Sequence, residues 1–373
     1  MCNTKIVGLI VAAGYSSRMG TFKPLLPLGE KTVIEAAVDS LRFGGIHDIR
    51  VIVGYRAAEL YPVLESLPVS IIDNPNYAAG MFSSVITGLK TFANDAEGFL
   101  LLPGDNPLIR KRSIKDLLQT YRQTGAAVTY PVFNNQRGHP PLISSKCFAD
   151  ILSDDGAYGL RKILERFDSD SMDIGVADQG ILLDIDTMED YEKLTCFYAN
   201  RNIPTYDECL ALLKKYQVND KVARHGQTVA MVGRHLAEQL NHAGLHLNIE
   251  LVVAGGMLHD LAKGKPNHSK RGERLIRSKG FSALAGIVAS HMDLDLSSEQ
   301  IMNEAAVVFL ADKLVRDDKV VSLNERFSFS LKKFAGQPEI QAAVLRRQQT
   351  AEIIRNKIIG MVGKNGLEDL ALQ

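Results

Sequence analysis

The twenty residues from Val7 to Leu26, VGLIVAAGYSSRMGTFKPLL, constrain the fold more than any other part of the chain. An unbroken apolar run, Ile6 to Ala12, leaves no face for water and reads as a parallel strand buried on both sides. It breaks into a loop carrying Gly14, Ser16, Ser17 and Gly20, with Arg18 and Lys23 interleaved. Glycines let the backbone approach an anion, exposed N–H groups donate to phosphate oxygens, and the two cations neutralise charge. A plain strand-to-helix turn needs one glycine and no fixed basic pair. The spacing is neither G-x-x-x-x-G-K-[ST] nor G-x-G-x-x-G. It points to a nucleoside-triphosphate grip.

The same alternation continues to about Thr195. Apolar runs at 49–54, 69–73, 98–105 and 126–132 are separated by segments of helical spacing at 32–43, 56–66, 80–93 and 113–123. Continuously apolar strands between amphipathic helices predict an α/β fold, a doubly wound and mostly parallel sheet covered on both faces. Ligands of such sheets sit at the carboxyl ends of the strands. FLLLPGDNPLI ends one strand there, delivering Asp105, a hard oxygen ligand suited to Mg²⁺ opposite a triphosphate. ILLDIDTMEDY at 181–191 reads as another strand ending in Asp184 and Asp186, either a second acidic group at the site or a surface pair leading into a helix capped by Thr187. Gly80, Ser83 and Ser84 open a helix, where they can cap it or reach a base or sugar. NNQRGHPPLIS at 134–144 is too polar and proline-rich for a strand interior. Its Arg137, Gly138 and His139 form an exposed loop that connects strands or touches an acceptor.

Lys plus Arg equals Asp plus Glu, 43 each among 373 residues, so net charge argues for neither nucleic acid nor membrane as a partner. No apolar run approaches the roughly 20 residues of a membrane span. The four cysteines form no C-x-x-C pair and no secretory h-region precedes the first strand, which predicts a cytoplasmic setting without disulfides.

LIVAAGYSSRMGTFKPLLPLGEKTVIE, LLPGDNPLI, RGHPPLIS and DIDTMEDY together resemble the nucleotidyltransferase family that includes molybdenum-cofactor cytidylyltransferases, over about residues 5–195. The resemblance implies attack by a phosphate of the acceptor on the α-phosphorus of an NTP, releasing pyrophosphate. It implies that Ala12, Ala13, Gly14, Ser16 and Ser84 bind the nucleotide and that Arg18 and Lys23 stabilise charge on the triphosphate. Asp105, joined by Asp186, would hold Mg²⁺, while Arg137, Gly138 and His139 would meet the acceptor. Ala12-Ala13-Gly14 stands where guanylyl-transferring relatives carry G-G-x, which points to CTP. R-G-H-P is similar to the branch whose acceptor is molybdopterin.

Past Thr195 the alternation stops. Tyr198–Pro204 is a short polar link, and Thr205-Tyr206-Asp207-Glu208 forms a capping-box pattern ahead of almost purely helical spacing with no hairpin signal. The second domain therefore reads as all-α. His225 shares a stripe with Val229, Val232, Leu236 and Leu240. His259-Asp260 follows a strongly apolar run, His268 aligns with Gly272 and Ile276, His291 with Leu284, Ile287 and Val288, and Asp312 with Ala305, Val308 and Val315. Singly, each histidine is more often a satisfied core residue. Several polar groups on apolar faces share their desolvation cost by binding a metal.

The order His225, His259-Asp260, Asp312 resembles the HD phosphohydrolase superfamily, over about residues 205–330. NHSKRGERLI is similar to the stretch of members carrying a second metal, which makes His268 and His291 its candidate ligands, although Ser269 stands where proline commonly follows the histidine. The resemblance implies a divalent metal (Mn²⁺, Mg²⁺ or Fe) that activates water, with Lys263 helping to hold the phosphate.

The organisation expected is a transferase domain at 1–197, a linker at 198–204, an HD domain at 205–335 and a helical extension at 336–373. Three other readings share these motifs. One is a transferase acting on a sugar phosphate or another phosphorylated small molecule. One makes the HD domain a nucleotide-binding regulatory module. One is an accessory factor that carries cofactor to a molybdenum hydroxylase.

Overall fold

Five of the apolar runs of the first half do become strands of one sheet. In the computed structural model, which describes residues 5–16, 19–295 and 302–363, β1 spans Ile6–Val11. A small hairpin follows, β2 (Pro27–Leu28) and β3 (Lys31–Thr32). Then come β4 (Asp48–Val53), β5 (Ser70–Asp73), β6 (Gly98–Pro103), β7 (Val128–Phe133), β8 (Gln136–Arg137), β9 (Leu142–Ser144) and β10 (Ser171–Gly175). The strand order is β10-β7-β9-β6-β1-β4-β5, with β8 on β7. All neighbours are parallel except β9, which runs antiparallel between β6 and β7, and β8.

The helices of this unit are α1 (Val33–Gly44), α2 (Ala57–Leu64), α3 (Met81–Lys90), α4 (Lys111–Thr124), α5 (Phe148–Ser153), α6 (Gly159–Leu164) and α7 (Met188–Ala199). They cover both faces because successive side chains of a strand alternate. Val7 and Leu9 of β1 pack with Val85, Leu89 and Phe148 on one side. On the other side Gly8 leaves room for α1, since a Cβ there would lie 2.8 Å from Leu41 Cδ1. α1 begins where Thr32 and Glu35 form a reciprocal capping box and ends at Gly45 in the left-handed region.

Chain direction across the sheet reverses between β1 and β6, which places the carboxyl ends of these two strands at a topological switch point. Val11 pairs with Pro103, and Gly104 N–H donates to Val11 O at 2.9 Å, so the loops after the two strands start level.

Residues 181–186 form no strand: Gln179–Leu182 is a 3₁₀ turn and the rest is irregular, with Ile181 and Ile185 buried as anchors. The 134–144 segment, whose polarity and prolines predict a loop, supplies β8 and β9, the latter fully buried.

The chain divides into two compact units, Met1–Asn200 and Arg201–Gln373. α7 reaches Ala199, so the first residues of the expected link are helical. The second unit holds α8 (Tyr206–Lys215), α9 (Asp220–His242), α10 (Ile249–Leu258), α11 (His268–Ser278), α12 (Ser282–Ser290), α13 (Glu304–Lys313), α14 (Leu323–Lys333) and α15 (Pro338–Val362). Thr205 and Glu208 make the capping box of α8. A two-residue hairpin, β11 (Val315–Arg316) with β12 (Lys319–Val320), departs from the all-α expectation. α9 and α10 approach closely because Gly256 faces Ala230, where a Cβ would lie 2.5 Å from backbone atoms. No helix among the described residues is long and apolar enough to cross a membrane.

Candidate functional site

The switch point holds a cleft of about 340 Å³. The loop after β1 lines it with Ala12, Ala13, Gly14, Tyr15 and Ser16, a 3₁₀ turn adds Lys23, the start of α3 adds Gly80, Met81 and Ser84, and the loop after β6 adds Gly104 and Asp105. Ser16 sits at φ +53°, and its hydroxyl accepts from Lys23 N–H at 3.3 Å, folding the loop back on itself. Arg18 lies outside the described residues.

Lys23 is 8% exposed, and its Nζ stands 3.1 Å from Asp105 Oδ2 and 3.1 Å from Asp186 Oδ1. One ammonium thus joins three segments far apart in sequence. Asp184 lies beside them, its carboxyl raised above the usual range first by burial and then by the charge of Asp105. The 181–186 segment that carries these acids is clamped in place. Asn106 Nδ2 donates to Leu183 O at 2.7 Å, His139 N–H donates to Ile181 O at 2.9 Å, and Gly180 packs against Leu108 O so closely that a Cβ would lie 2.0 Å away.

The loop residues 137–139 separate. Arg137 turns to β10, bonding Asp173 at 2.8 Å and Asp168 at 3.1 Å and stacking 4.1 Å from the Tyr130 ring. Gly138 is a close-approach position, since a Cβ would lie 2.5 Å from Ile181 O. His139 alone turns toward the acids. Burial lowers its pKa against the opposing pull of a backbone bond at Leu101 and the charges of Asp105 and Asp184, and its buried Nδ1 has no partner among the described residues.

In the second unit the inward stripes converge. His225 comes from α9, His259 and Asp260 follow α10, His268 opens α11, His291 ends α12, and Asp312 lies in α13. Backbone carbonyls, which can only accept, fix three tautomers. His225 Nδ1–H donates to Asp317 O at 2.7 Å, His259 Nδ1–H to Gly256 O at 2.8 Å and His291 Nδ1–H to Val288 O at 2.7 Å. Each Nε2 is left facing the centre as a lone pair when the ring is neutral.

His225 Nε2 is 3.0 Å from Asp312 Oδ1, and His259 Nε2 is 3.4 Å from Asp260 Oδ2 and 3.6 Å from Asp312 Oδ1. Across Asp260, its Oδ1 lies 3.5 Å from His268 Nε2 and 3.6 Å from His291 Nε2, which are 3.3 Å from each other. Two ligand-like groups result, His225–His259–Asp260 and Asp260–His268–His291, sharing one carboxylate. Burial pushes the His259 imidazole down more than any single neighbour pulls it up, but Asp260, Asp312 and the Gly256 carbonyl together make the net direction up. The Asp260 carboxyl is raised by burial and lowered further by His259 and His291, ending well below the usual range.

The chemistry of this donor set fits a divalent metal. His259 Nε2 is buried and makes no hydrogen bond among the described residues, an arrangement that is costly for a polar atom unless an ion takes the lone pair. Lys263 reaches Asp260 Oδ2 at 2.6 Å from a half-exposed position at the rim. Lys313 joins the cluster without being among the residues the motifs single out. This buried ammonium bonds Asp312 Oδ2 at 2.5 Å and His291 O at 3.1 Å and sits 4.5 Å over the Phe309 ring. A lysine in the apolar stripe of α13 was its signal.

Residues 8–171 match the model of the MobA-like NTP transferase domain, and residues 222–317 match that of the HD domain. The molybdenum cofactor cytidylyltransferase of Escherichia coli (strain K12) is 32% identical over 185 residues, 49% of this chain and 92% of that protein. The chain belongs to the MobA-like NTP transferase family. Nicotine blue oxidoreductase of Paenarthrobacter nicotinovorans is 26% identical, covering 51% of this chain and 96% of that protein. Among solved structures, Rv0371c of Mycobacterium tuberculosis H37Rv is similar at 26% identity and a TM-score of 0.46, covering 52% of this chain and 99% of that one. The MobA-like unit is a nucleotidyltransferase, joined in one chain to an HD domain. The expected family resemblances, the α/β sheet followed by helices and the enzyme class are thus met.

Proposed function

We propose that the chain transfers the cytidylyl group of CTP to molybdopterin, releasing pyrophosphate, through its 1–197 region, and hydrolyses a phosphoester at the HD centre in 205–335. The observation that carries the transferase reading is Lys23 held between Asp105 and Asp186, in a cleft that Lys23, Asp105 and Ser84 line together. Two of the three N–H bonds of the ammonium go to these carboxylates, and the third is available to a phosphate oxygen. Ala12, Ala13, Gly14 and Ser16 pack against the nucleotide, and Arg18 adds a second positive charge. Asp105 and Asp186 offer hard oxygens to Mg²⁺, which would neutralise charge on the triphosphate. The acceptor phosphate is already a nucleophile, so the chain contributes positioning and electrostatics, with His139 on the acceptor side. The name of the Escherichia coli relative, molybdenum cofactor cytidylyltransferase, supports cytidylyl transfer to a molybdenum-cofactor acceptor.

At the HD centre, His225, His259, Asp260 and Asp312 would bind one divalent ion, and Asp260, His268 and His291 a second. Such ions supply a polarised water and hold phosphate oxygens. Lys263, exposed at the rim, meets the incoming phosphate. Lys313 keeps Asp312 ionised and oriented from behind.

Pyrophosphate release measured with four NTPs, with and without molybdopterin, tests the first activity. Release with CTP that requires molybdopterin is expected, and its absence overturns the substrate assignment. Hydrolysis of p-nitrophenyl phosphate esters across Mn²⁺, Mg²⁺ and Fe²⁺ tests the second. No turnover with any of them leaves the HD centre a binding module.

A further inference from the structure

We propose that Asn74 sets the base preference of the transferase by fixing the direction of the Ser84 hydroxyl, so that the cleft presents a hydrogen-bond donor to the base. The inference rests on reading this cleft as the nucleoside-triphosphate site. Asn74 directly follows β5 and is 1% exposed. Groups of fixed polarity decide which way its amide lies. Oδ1 accepts from Asn76 N–H at 2.9 Å, and a backbone N–H only donates. On the other side, the Ser83 hydroxyl lies 2.8 Å from Gly80 O and 2.9 Å from Asn76 O, and carbonyls only accept. Ser83 therefore directs its proton to a carbonyl and must accept from Asn74 Nδ2 at 2.9 Å.

The second hydrogen of Nδ2 goes to Ser84 Oγ at 3.0 Å. Ser84 is thus an acceptor toward Asn74. Its own proton is left over, and its hydroxyl makes no other hydrogen bond among the described residues. Ser84 is 1% exposed and lines the cleft. A buried hydroxyl proton without an acceptor is costly, and the cleft is the side from which a ligand can supply one. The ligand group that satisfies it is a carbonyl or an unprotonated ring nitrogen, the acceptor edge that a pyrimidine such as cytosine carries at adjacent positions. Asn74 never touches the nucleotide in this arrangement. It is a positioning residue whose effect passes through Ser84.

Asn74→Asp inverts the lock. With two acceptor oxygens at this position, Ser84 donates to Asp and turns its lone pairs to the cleft, against the acceptor edge of the base. kcat/KM for CTP should fall roughly tenfold to a hundredfold relative to the other NTPs. In the Ser84→Ala background, Asn74→Asp should leave the ratio among the four NTPs unchanged. A purely structural role lowers all four NTPs alike and leaves the ratio intact in both backgrounds. If Asn74→Asp does not fold, Asn74→Ser, which carries no charge and no fixed donor, should move the ratio the same way by a smaller factor. An active wild-type chain whose ratio is unmoved by these variants, or moved equally without Ser84, overturns the inference alone. A wild-type chain that releases pyrophosphate from no NTP overturns the reading of the cleft and the inference with it.

Discussion

The acids of the two units sit in opposite surroundings. Asp105 and Asp186 keep 27% and 37% of their side chains exposed, at the ends of loops, and share one lysine. Asp260 and Asp312 are 9% and 8% exposed inside a helical bundle and share four imidazoles and two further lysines. A carboxylate at a sheet edge can await a large, charged ligand because water solvates it meanwhile. A carboxylate between helices has no such reserve, so its neighbours must be fixed beforehand. The backbone carbonyls of Gly256, Val288 and Asp317 do that by fixing the histidine tautomers. The first site is built to admit its partner and the second to hold one.

The sharpest way to break this contrast is to remove the shared group from each side. Lys23→Met should lower kcat/KM for pyrophosphate release by roughly 100- to 1,000-fold, the scale of losing one preorganised electrostatic contact. Bound metal at the HD centre, measured by elemental analysis, should not change. Asp260→Asn removes the bridging carboxylate, and metal affinity should fall by at least roughly 100-fold, since even outer partners of a metal site contribute 10- to 100-fold. A Lys23→Met chain that loses the HD metal, or an Asp260→Asn chain that keeps it, would erase the distinction.

A smaller effect tests the scaffolds. Gly180→Ala places a Cβ 2.0 Å from Leu108 O, beneath the segment carrying Asp184 and Asp186, and Gly256→Ala places one 2.5 Å from Ala230 N and Cα, three residues before His259. Neither obstacle is a flexible side chain, so each variant should lose about 1–3 kcal/mol in urea unfolding. The contrast sharpens if Gly256→Ala also lowers metal content while Gly180→Ala raises KM at the transferase and leaves metal content alone.

The two sites also differed in how far the sequence exposed them. The HD cluster was legible because helical spacing assigns a side chain to a face: His225 in register with Val229, Val232 and Leu236 is inward wherever the helix packs. Asp105 was legible for a similar reason, as the first polar residue past an apolar strand. The run ILLDID was misread because a short apolar stretch has the same pattern in a buried strand and in an irregular segment pinned by Ile181 and Ile185. β9 was missed because its pairing with β6 and β7 is long-range, and its prolines precede the strand rather than interrupt it. Arg137 looked available to an acceptor, but its partners Asp168 and Asp173 come from a 3₁₀ turn and from the strand β10 after it, neither of which the apolar pattern revealed. Asn74 left no signal at all, since its role exists only once the turn at 75–80 brings Ser83 and Ser84 back to it.

The least disturbing comparison leaves both activities untouched and asks whether the two cores are equally closed. Cys147 lies buried under β7 and β9, its Sγ 3.5 Å from Ala127 O, and burial pushes its thiol up to about 12. Cys209, buried in α8, is likewise raised well above the ordinary thiol range, first by burial and then by Glu208. Cys196 lies exposed on α7. Only the thiolate attacks an alkylating reagent, and a group with a pKa near 12 holds roughly one thiolate in ten thousand at pH 8. Iodoacetamide followed by peptide mapping should therefore modify Cys196 while Cys147 and Cys209 stay intact, with rates roughly 100-fold or more apart. Modification of Cys147 ahead of Cys209 would mean that the sheet opens around β9 below its global unfolding free energy. In that case the tolerance for a large ligand would extend from the loops of the transferase site into the strands that carry them.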